Sequence, residues 1–506
     1  MAGLALALGS ARRDEVENMM RRMAHRGPTI SALHESGKVV LGQCYLPADT
    51  AGGDGGLEIP VRSADNPSLM ILYDGQMGDW ARLAREHDVA DGPFREERLL
   101  LALYRRYGRA MLDHLTDAIF SFVIVDGGDV FAARDLLGIK TLFYGWKGDT
   151  LYLASELKGV LAATGDVHEF PNGHYMDTRG TFTRFAALPA SQPGEWPHGV
   201  DEMCAAIRDI IERGIQARVD FAWPTGGLLS GGMDSSVINY LASKAYRARF
   251  GEEARLKTFS LGVGESEDIR AARTMADYIG SEHHELICDL PQLLEVLPQV
   301  IYHLESFDPS LVRSSASNYL ISRYAREQGI EVLLSGEGGD EVFCGYLYLA
   351  RCPAEELFAR QMECIGFLHS NASLRLDRMN QCHSIRVVAP LVSGELLWYA
   401  MSIPPQYKQM PQGEGKIEKW IFRKAYEGLL PPSIVWRTKQ EFSQGSGSAS
   451  VLPAYFEERI SDQELAQAQA AHPVIRSKEE LHYFRLFTEY FGTGSAVDTV
   501  GQWVSL

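Results

Sequence analysis

Several features are scarce or missing in this 506-residue chain, and each narrows what it does. No window approaches the roughly 18 uncharged apolar residues of a membrane span, so none is predicted. The opening MAGLALALGSARRDE has a short apolar run with no basic residues ahead of it, which is not a signal-peptide layout. Cysteine is sparse and scattered: seven residues, no CxxC pair, an odd count that predicts reduced thiols in a cytoplasmic protein. Positive charge is short, with 49 Lys and Arg against 66 Asp and Glu, a net charge of −17. That argues against nucleic acid or an anionic membrane as the main partner, and leaves room for a locally basic pocket around a phosphate-rich small molecule. Internal repeats and low-complexity tracts are absent, and so is the GxxxxGK[ST] phosphate loop.

What is present reads as two domains, since the chain is too long for one ordinary core. Residues 1–190 are β-rich, with runs such as SLMILYDG (68–75), IFSFVIVDGGDVFAARD (119–135) and TLYLASE (150–156) broken by glycine turns. Helices are predicted from Asp14 to His25 and, on the spacing of Leu99, Leu100, Leu103 and Tyr104, from Arg95 to Tyr107. A linker falls at 191–200, over most of the Pro- and Gly-rich LPASQPGEWPHG (188–199). From 201 to 506 the pattern changes to strands alternating with helices, which indicates an α/β domain with a parallel, doubly wound sheet. Beyond about 345 the texture is mostly helical.

Three stretches carry chemistry. LLSGGMDSS (228–236) ends a predicted strand and opens a helix. Ser230, Gly231 and Gly232 would turn tightly and aim backbone N–H groups at one point, and the helix from Ser235 adds its positive end. This suits a phosphate, with Asp234 placed to hold Mg²⁺ against it. LLSGEGGDEVFCGY (333–346) follows another strand and sets Glu337, Asp340 and Glu341 beside glycines. Mg²⁺ or a substrate cation must compensate those carboxylates. GEGKIEKWIFRKA (413–425) and WRTKQEFSQG (436–445) supply Lys416, Lys419, Arg423, Arg437 and Lys439 for a triphosphate or a developing oxyanion. A solvated helix face accounts for Lys416, Lys419 and Arg423 almost as well, so Arg437 and Lys439 are the stronger candidates.

These pieces, in this order, resemble glutamine-dependent asparagine synthetase. The likeness extends through TFSLGV (258–263), IYHLESFD (301–308), GKIEKWIFRKAYEGLLPPSIVWR (415–437) and KQEFS (439–443). It implies a C-terminal ATP-pyrophosphatase domain that adenylates a carboxylate with MgATP, after which an amine displaces AMP. Carried over by position, Leu229, Leu261, Ser335 and Gly336 border the adenosine. Ser230, Gly231, Gly232, Asp234, Ser235, Lys416 and Arg437 attend ATP and pyrophosphate. Asp234 and Asp340 hold Mg²⁺, Glu337 acts near the acyl centre as base or partner of the amine, and Lys439 steadies phosphate and tetrahedral intermediate. Asp268, Glu305, Arg313 and Arg386 are the candidate substrate-side residues. Homodimers are common in the family.

The first domain resembles the family's glutaminase domain, an αββα fold of the N-terminal-nucleophile type, through MAHRGP (23–28), YDGQMGD (73–79), ARDLLGIKTLFYG (133–145) and LYLASELKGV (151–160). It departs where the family has its nucleophile, a cysteine directly after Met1: this chain has Ala2. Alanine has nothing to attack with, and Cys44 lies mid-chain without a free amine. The family's Asn-Gly-Glu-Ile-Tyr-Asn is Asp74 to Asp79 here, and its glutamine-gripping acid has no clear match in DGPFREERLL (91–100). Glutamine hydrolysis is therefore not expected. In the second domain IRVVAPLVS (385–393) and FDPSLVRSS (307–315) also depart, which reads as a changed carboxylate substrate. A dead glutaminase domain beside an altered acceptor side resembles the β-lactam synthetases, whose substrate's own tethered amine closes the ring. Glu337 departs from the tyrosine those enzymes carry there. Amide formation with ammonia or another external amine is the alternative. A non-catalytic scaffold is disfavoured, because Asp234, Glu337, Asp340 and Lys439 all persist.

Overall fold

A computed structural model describes residues 2–10, 12–28, 30–46, 60–192, 194, 199–412, 415–439 and 447–503. Half of the 191–200 linker and the second half of the basic loop, from Gln440, lie outside the described residues. The chain forms two compact units, Met1–Leu188 with Thr493–Thr499, and Pro189–Gly492 with Val500–Leu506.

The first unit holds two six-stranded sheets. One contains β1 (Ala2–Leu8), β2 (Ile30–Ser36), β3 (Val39–Tyr45), β8 (Phe143–Lys147), β9 (Thr150–Ala154) and β10 (His168–Glu169), in the order β10-β8-β9-β1-β3-β2. The other contains β4 (Val61–Arg62), β5 (Leu69–Met77), β6 (Ala118–Asp126), β7 (Asp129–Arg134), β11 (His174–Met176) and β12 (Phe182–Arg184), in the order β12-β11-β7-β6-β5-β4. Pairing is antiparallel, with Gly3 opposite Cys44 and Asp74 opposite Ser121. Side-chain alternation builds the layers. Met70, Leu72, Val123 and Val125 join Leu4, Leu6, Leu151 and Leu153 in a core between the sheets. The intervening Ile71, Tyr73, Phe122 and Ile124 pack instead with Leu99, Leu100 and Leu103 of the helix Arg95–Tyr107. The helix Arg13–Arg22 packs on β1 and β3, completing an αββα unit. It ends at Arg22, three residues short of the predicted His25, because Ala24–Arg26 tightens into a 3₁₀ turn.

The second unit is built on a parallel sheet of β13 (Thr225–Leu228), β14 (Lys257–Val263), β15 (Glu282–Cys288), β16 (Val332–Leu334) and β17 (Arg386–Val388), ordered β15-β14-β13-β16-β17. Gly227 pairs with Thr258 on one side and Leu334 on the other. The chain steps outward from β13 to β15, then returns across to β16 and β17. Right-handed crossovers therefore place the helices Met233–Phe250 and Glu267–Ile279 on one face and Pro309–Glu327 on the other. The order reverses between β13 and β16, and the loops leaving these two strands lie side by side at their carboxyl ends, where doubly wound sheets bind ligands. The Pro309 helix starts firmly, with Pro309 in its first turn and the Asp308 carboxylate accepting the Leu311 N–H at 3.0 Å.

The region past 345, read as mostly helical, also holds β17 and a hairpin of β18 (Gln409–Gln412) and β19 (Gly415–Glu418). β17 has three residues and exists through its pairing with β16, a non-local contact that leaves no periodicity in the sequence. Among the described residues no helix is long and apolar enough to cross a membrane.

Candidate active site

The loop after β13 is built by its own side chains. The Leu229 N–H donates to the Phe259 carbonyl at 2.8 Å, continuing the sheet for one residue. Beyond it Gly231 takes φ +71°, and a Cβ there would run into the backbone of Ala271. The Ser230 N–H donates to Ser235 Oγ at 3.2 Å, and Ser235 Oγ donates to the Gly232 carbonyl at 3.2 Å. Asn239, a turn into the helix, clamps the loop from below, its amide donating to the carbonyls of Leu228 (2.9 Å) and Ser235 (2.8 Å).

The loop after β16 lies alongside. The Ser335 N–H donates to the Val388 carbonyl of β17 at 2.9 Å, and the Glu337 N–H to Ser335 Oγ at 3.2 Å. Asp340 then faces Asp234, and one ammonium joins them: Lys419 Nζ contacts Asp234 Oδ2 and lies 2.6 Å from Asp340 Oδ1. Lys439 Nζ holds the other Asp340 oxygen at 2.6 Å. Space for this is made by Gly345, where a Cβ would collide with both Lys419 and Asp340. Burial alone would raise the Asp340 carboxyl, but Lys419 and Lys439 outweigh it and hold the group well below the usual carboxylate range. Burial would likewise lower Lys439, and Asp340, Asp234 and Glu337 together keep it above its ordinary value. Asp268 goes the other way: burial raises it despite Arg437 at 2.7 Å.

One cavity receives these groups. Its wall includes Leu229, Ser230, Gly232, Asp234, Ser235, Leu261, Asp268, Ser335, Gly336, Glu337, Asp340, Arg437 and Lys439. Its apolar lining includes Leu228, Leu229, Phe259, Leu261 and Ile321, and Glu337, Arg375 and Tyr346 line it as well. The four carboxylates on the wall, Asp234, Asp268, Glu337 and Asp340, face five cations, Arg375, Lys419, Arg423, Arg437 and Lys439, in an otherwise acidic chain.

Five expected residues do not line this wall. Lys416 sits on β19 with Nζ donating to the Cys352 carbonyl at 2.9 Å. Arg313 is turned to Glu479 at 2.7 Å, and Glu305 is buried against Arg378 at 2.9 Å. Arg386 begins β17, and it is the strand's backbone, through the Val388 carbonyl, that braces the site. Gly231 shapes its loop without lining the cavity. Conversely, Arg375, which the sequence did not single out, and Lys419 and Arg423, which it weighed against a solvated helix face, are buried and take structural roles. Lys419 bridges Asp234 and Asp340, Arg375 pairs with Glu337, and Arg423 donates to the Arg437 carbonyl at 3.1 Å, fixing the segment that carries Arg437 and Lys439.

The asparagine synthase family profile matches residues 206–363 and 353–484, and a glutamine amidotransferase domain profile matches residues 1–196. Glutamine-hydrolysing asparagine synthetase of Triphysaria versicolor is 32% identical over 99% of this chain and 88% of its own length. A Lotus japonicus enzyme of that name is 32% identical over 98% and 87%, and a probable one from Dictyostelium discoideum 30% over 99% and 94%. The chain belongs to the asparagine synthase family. Membership makes it an ATP-dependent ligase of the amide-forming kind, and places the SGGMDS loop and its carboxylate partners in that family's synthetase half.

Proposed function

We propose that this family member adenylates a substrate carboxylate, releases pyrophosphate, and passes the acyl group to an amine without hydrolysing glutamine. The observation that carries the reading is at Ala2. It starts β1 with a buried methyl, and its backbone N–H donates to Asp74 Oδ1 at 3.1 Å. Asp74 is itself buried between Arg26 (2.9 Å) and Lys140 (3.2 Å). Cys44, the thiol on the neighbouring strand, is buried and pushed up to about 12 by that burial, so it supplies no thiolate. The amine is therefore best taken as the substrate's own, closing a β-lactam. Kinship along the whole chain to asparagine synthetases, with Glu337 retained, favours the second reading, free ammonia or another external amine.

In either case the substrate carboxylate attacks the α-phosphorus and pyrophosphate leaves past the Leu229–Gly232 loop and Arg437. The amine then attacks the acyl carbon, gives a proton to Glu337, and AMP departs, with Lys439 against the oxyanion. Asp234 and Asp340 fit Mg²⁺: both are carboxylates, and Asp234 Oδ1 is buried with no hydrogen-bond donor. The ion would supply charge neutralisation for the leaving pyrophosphate.

The test is pyrophosphate release from MgATP with aspartate plus ammonium, against β-amino acids without ammonium. Turnover with β-amino acids alone supports ring closure; turnover only with aspartate and ammonium establishes the external amine. Glutamine-driven turnover would refute the reading of Ala2, and no release with any acid would refute activation itself.

A further inference from the structure

The cavity has one wall that neither loop explains. Trp503 lines it from the C-terminal segment, far in sequence from every other wall residue. Its ring lies 5.6 Å from Tyr346, 6.3 Å from Tyr348 and 5.3 Å from Phe367, ring centre to ring centre. Tyr346 ends the loop that carries Glu337 and Asp340, and Phe367 leads into the helix Ala372–Gln381, whose Arg375 pairs with Glu337. Trp503 therefore stands beside the segments that carry Glu337 and its partner Arg375.

The segment is anchored. The Trp503 N–H donates to Asp308 Oδ2 at 3.0 Å, and Arg476 donates to that oxygen at 2.8 Å and to the Trp503 carbonyl at 3.1 Å. Asp308 is also the cap of the helix that presents Ser310 and Ser314 to the cavity. A rigid aromatic side chain fixed at both its ring and its backbone is a wall of set position. From this geometry we propose that Trp503 is a specificity-determining residue: it closes the acyl end and limits the length of the acid that is activated, with Asp308 and Arg476 positioning it. The inference rests on the acyl-activating reading above.

The test compares wild type, Trp503→Ala and Trp503→Phe with L-aspartate, L-glutamate and L-2-aminoadipate, each with and without ammonium, by MgATP-dependent pyrophosphate release. Removing the ring should raise kcat/KM for the longest acid relative to the shortest by about tenfold or more, the scale on which a pocket wall discriminates methylenes. Trp503→Phe should restore most of the selectivity, and KM for ATP should stay within about twofold, which a general loosening of the fold would not allow. An unchanged ratio in Trp503→Ala overturns the proposal. Silence of wild type with all three acids counts against acyl activation of these acids, and the wall is then decided by binding. The emission of Trp503, taken as the difference between wild type and Trp503→Phe, should change when an acid is added over MgATP. No change with any acid, or a change with MgATP alone, overturns it.

Discussion

Replacing Lys419 with methionine gives the sharpest check on the centre of the site. The side chain is 1% exposed, and its ammonium is the only group that touches both Asp234 and Asp340 among the described residues. Methionine keeps the volume and removes the charge. Stripping one partner from a buried ion pair costs about 3–5 kcal/mol. Here Asp234 and Asp340 keep 16% and 20% exposure, and Lys439 still holds Asp340, so the lower figure, about 3 kcal/mol, applies. At about 2 °C per kcal/mol for a unit of this size, Tm should fall by about 6 °C in EDTA. If these carboxylates are the Mg²⁺ ligands, the loss is conditional. A cation bound to the native state at a hundred times its Kd returns about 2.7 kcal/mol, so saturating MgCl₂ should recover most of the variant's deficit. Wild type should gain less, since Lys419 already occupies the space between the carboxylates. Thermal unfolding followed by circular dichroism, with and without Mg²⁺, measures all four states. Arg273→Met is the control: its pairs with Glu265 and Glu285 are solvent-screened, and its loss should leave Tm close to that of wild type. A Lys419→Met protein as stable as wild type in EDTA refutes the bridging role. Equal stabilisation of both proteins by Mg²⁺ refutes the competition between lysine and metal.

Two further outcomes follow from named groups. Glu97 is buried in the first turn of the Arg95–Tyr107 helix, and burial lifts its carboxyl from 4.5 to about 8. The native state thus holds this proton more tightly than the unfolded chain. The stabilisation is complete below pH 4.5, and it declines by about 1.4 kcal/mol per unit until about 8. Glu97→Gln should flatten that decline, leaving stability near wild type at pH 5 and raising it at pH 8 in urea titrations; a variant equally destabilised at both would show that the carboxyl is not the titrating group. Glu337→Gln should keep ATP–pyrophosphate exchange while amide formation falls by about 10²–10⁴, the usual contribution of a general base. Loss of exchange and amide formation together would place Glu337 in the first half-reaction instead.

Legibility in the sequence followed the range of the interactions. The SGGMDS loop, the acid-rich loop at 335–341 and the order of strands and helices between them are local, so glycine spacing and hydrophobic periodicity expose them. Lys419 is different: its partners Asp234 and Asp340 are brought to it only by the sheet, and its own neighbours, Glu418 and Trp420, carry no sign of them. Arg375 is hidden in the same way within a helix whose other residues are mostly buried. The departures at 385–393 show the limit most clearly. A changed side chain at Arg386 suggested a rebuilt acceptor pocket, yet that side chain stays off the wall, and β17 serves the site through the Val388 carbonyl, which any residue provides. Side chains that do line the cavity include Ser310 and Ser314 on one helix, Arg375 on another and Trp503 on the C-terminal segment. The first two are spaced four apart and are indistinguishable by period from core positions. The last lies in a stretch without periodicity, so these are wall residues whose place depends entirely on the fold.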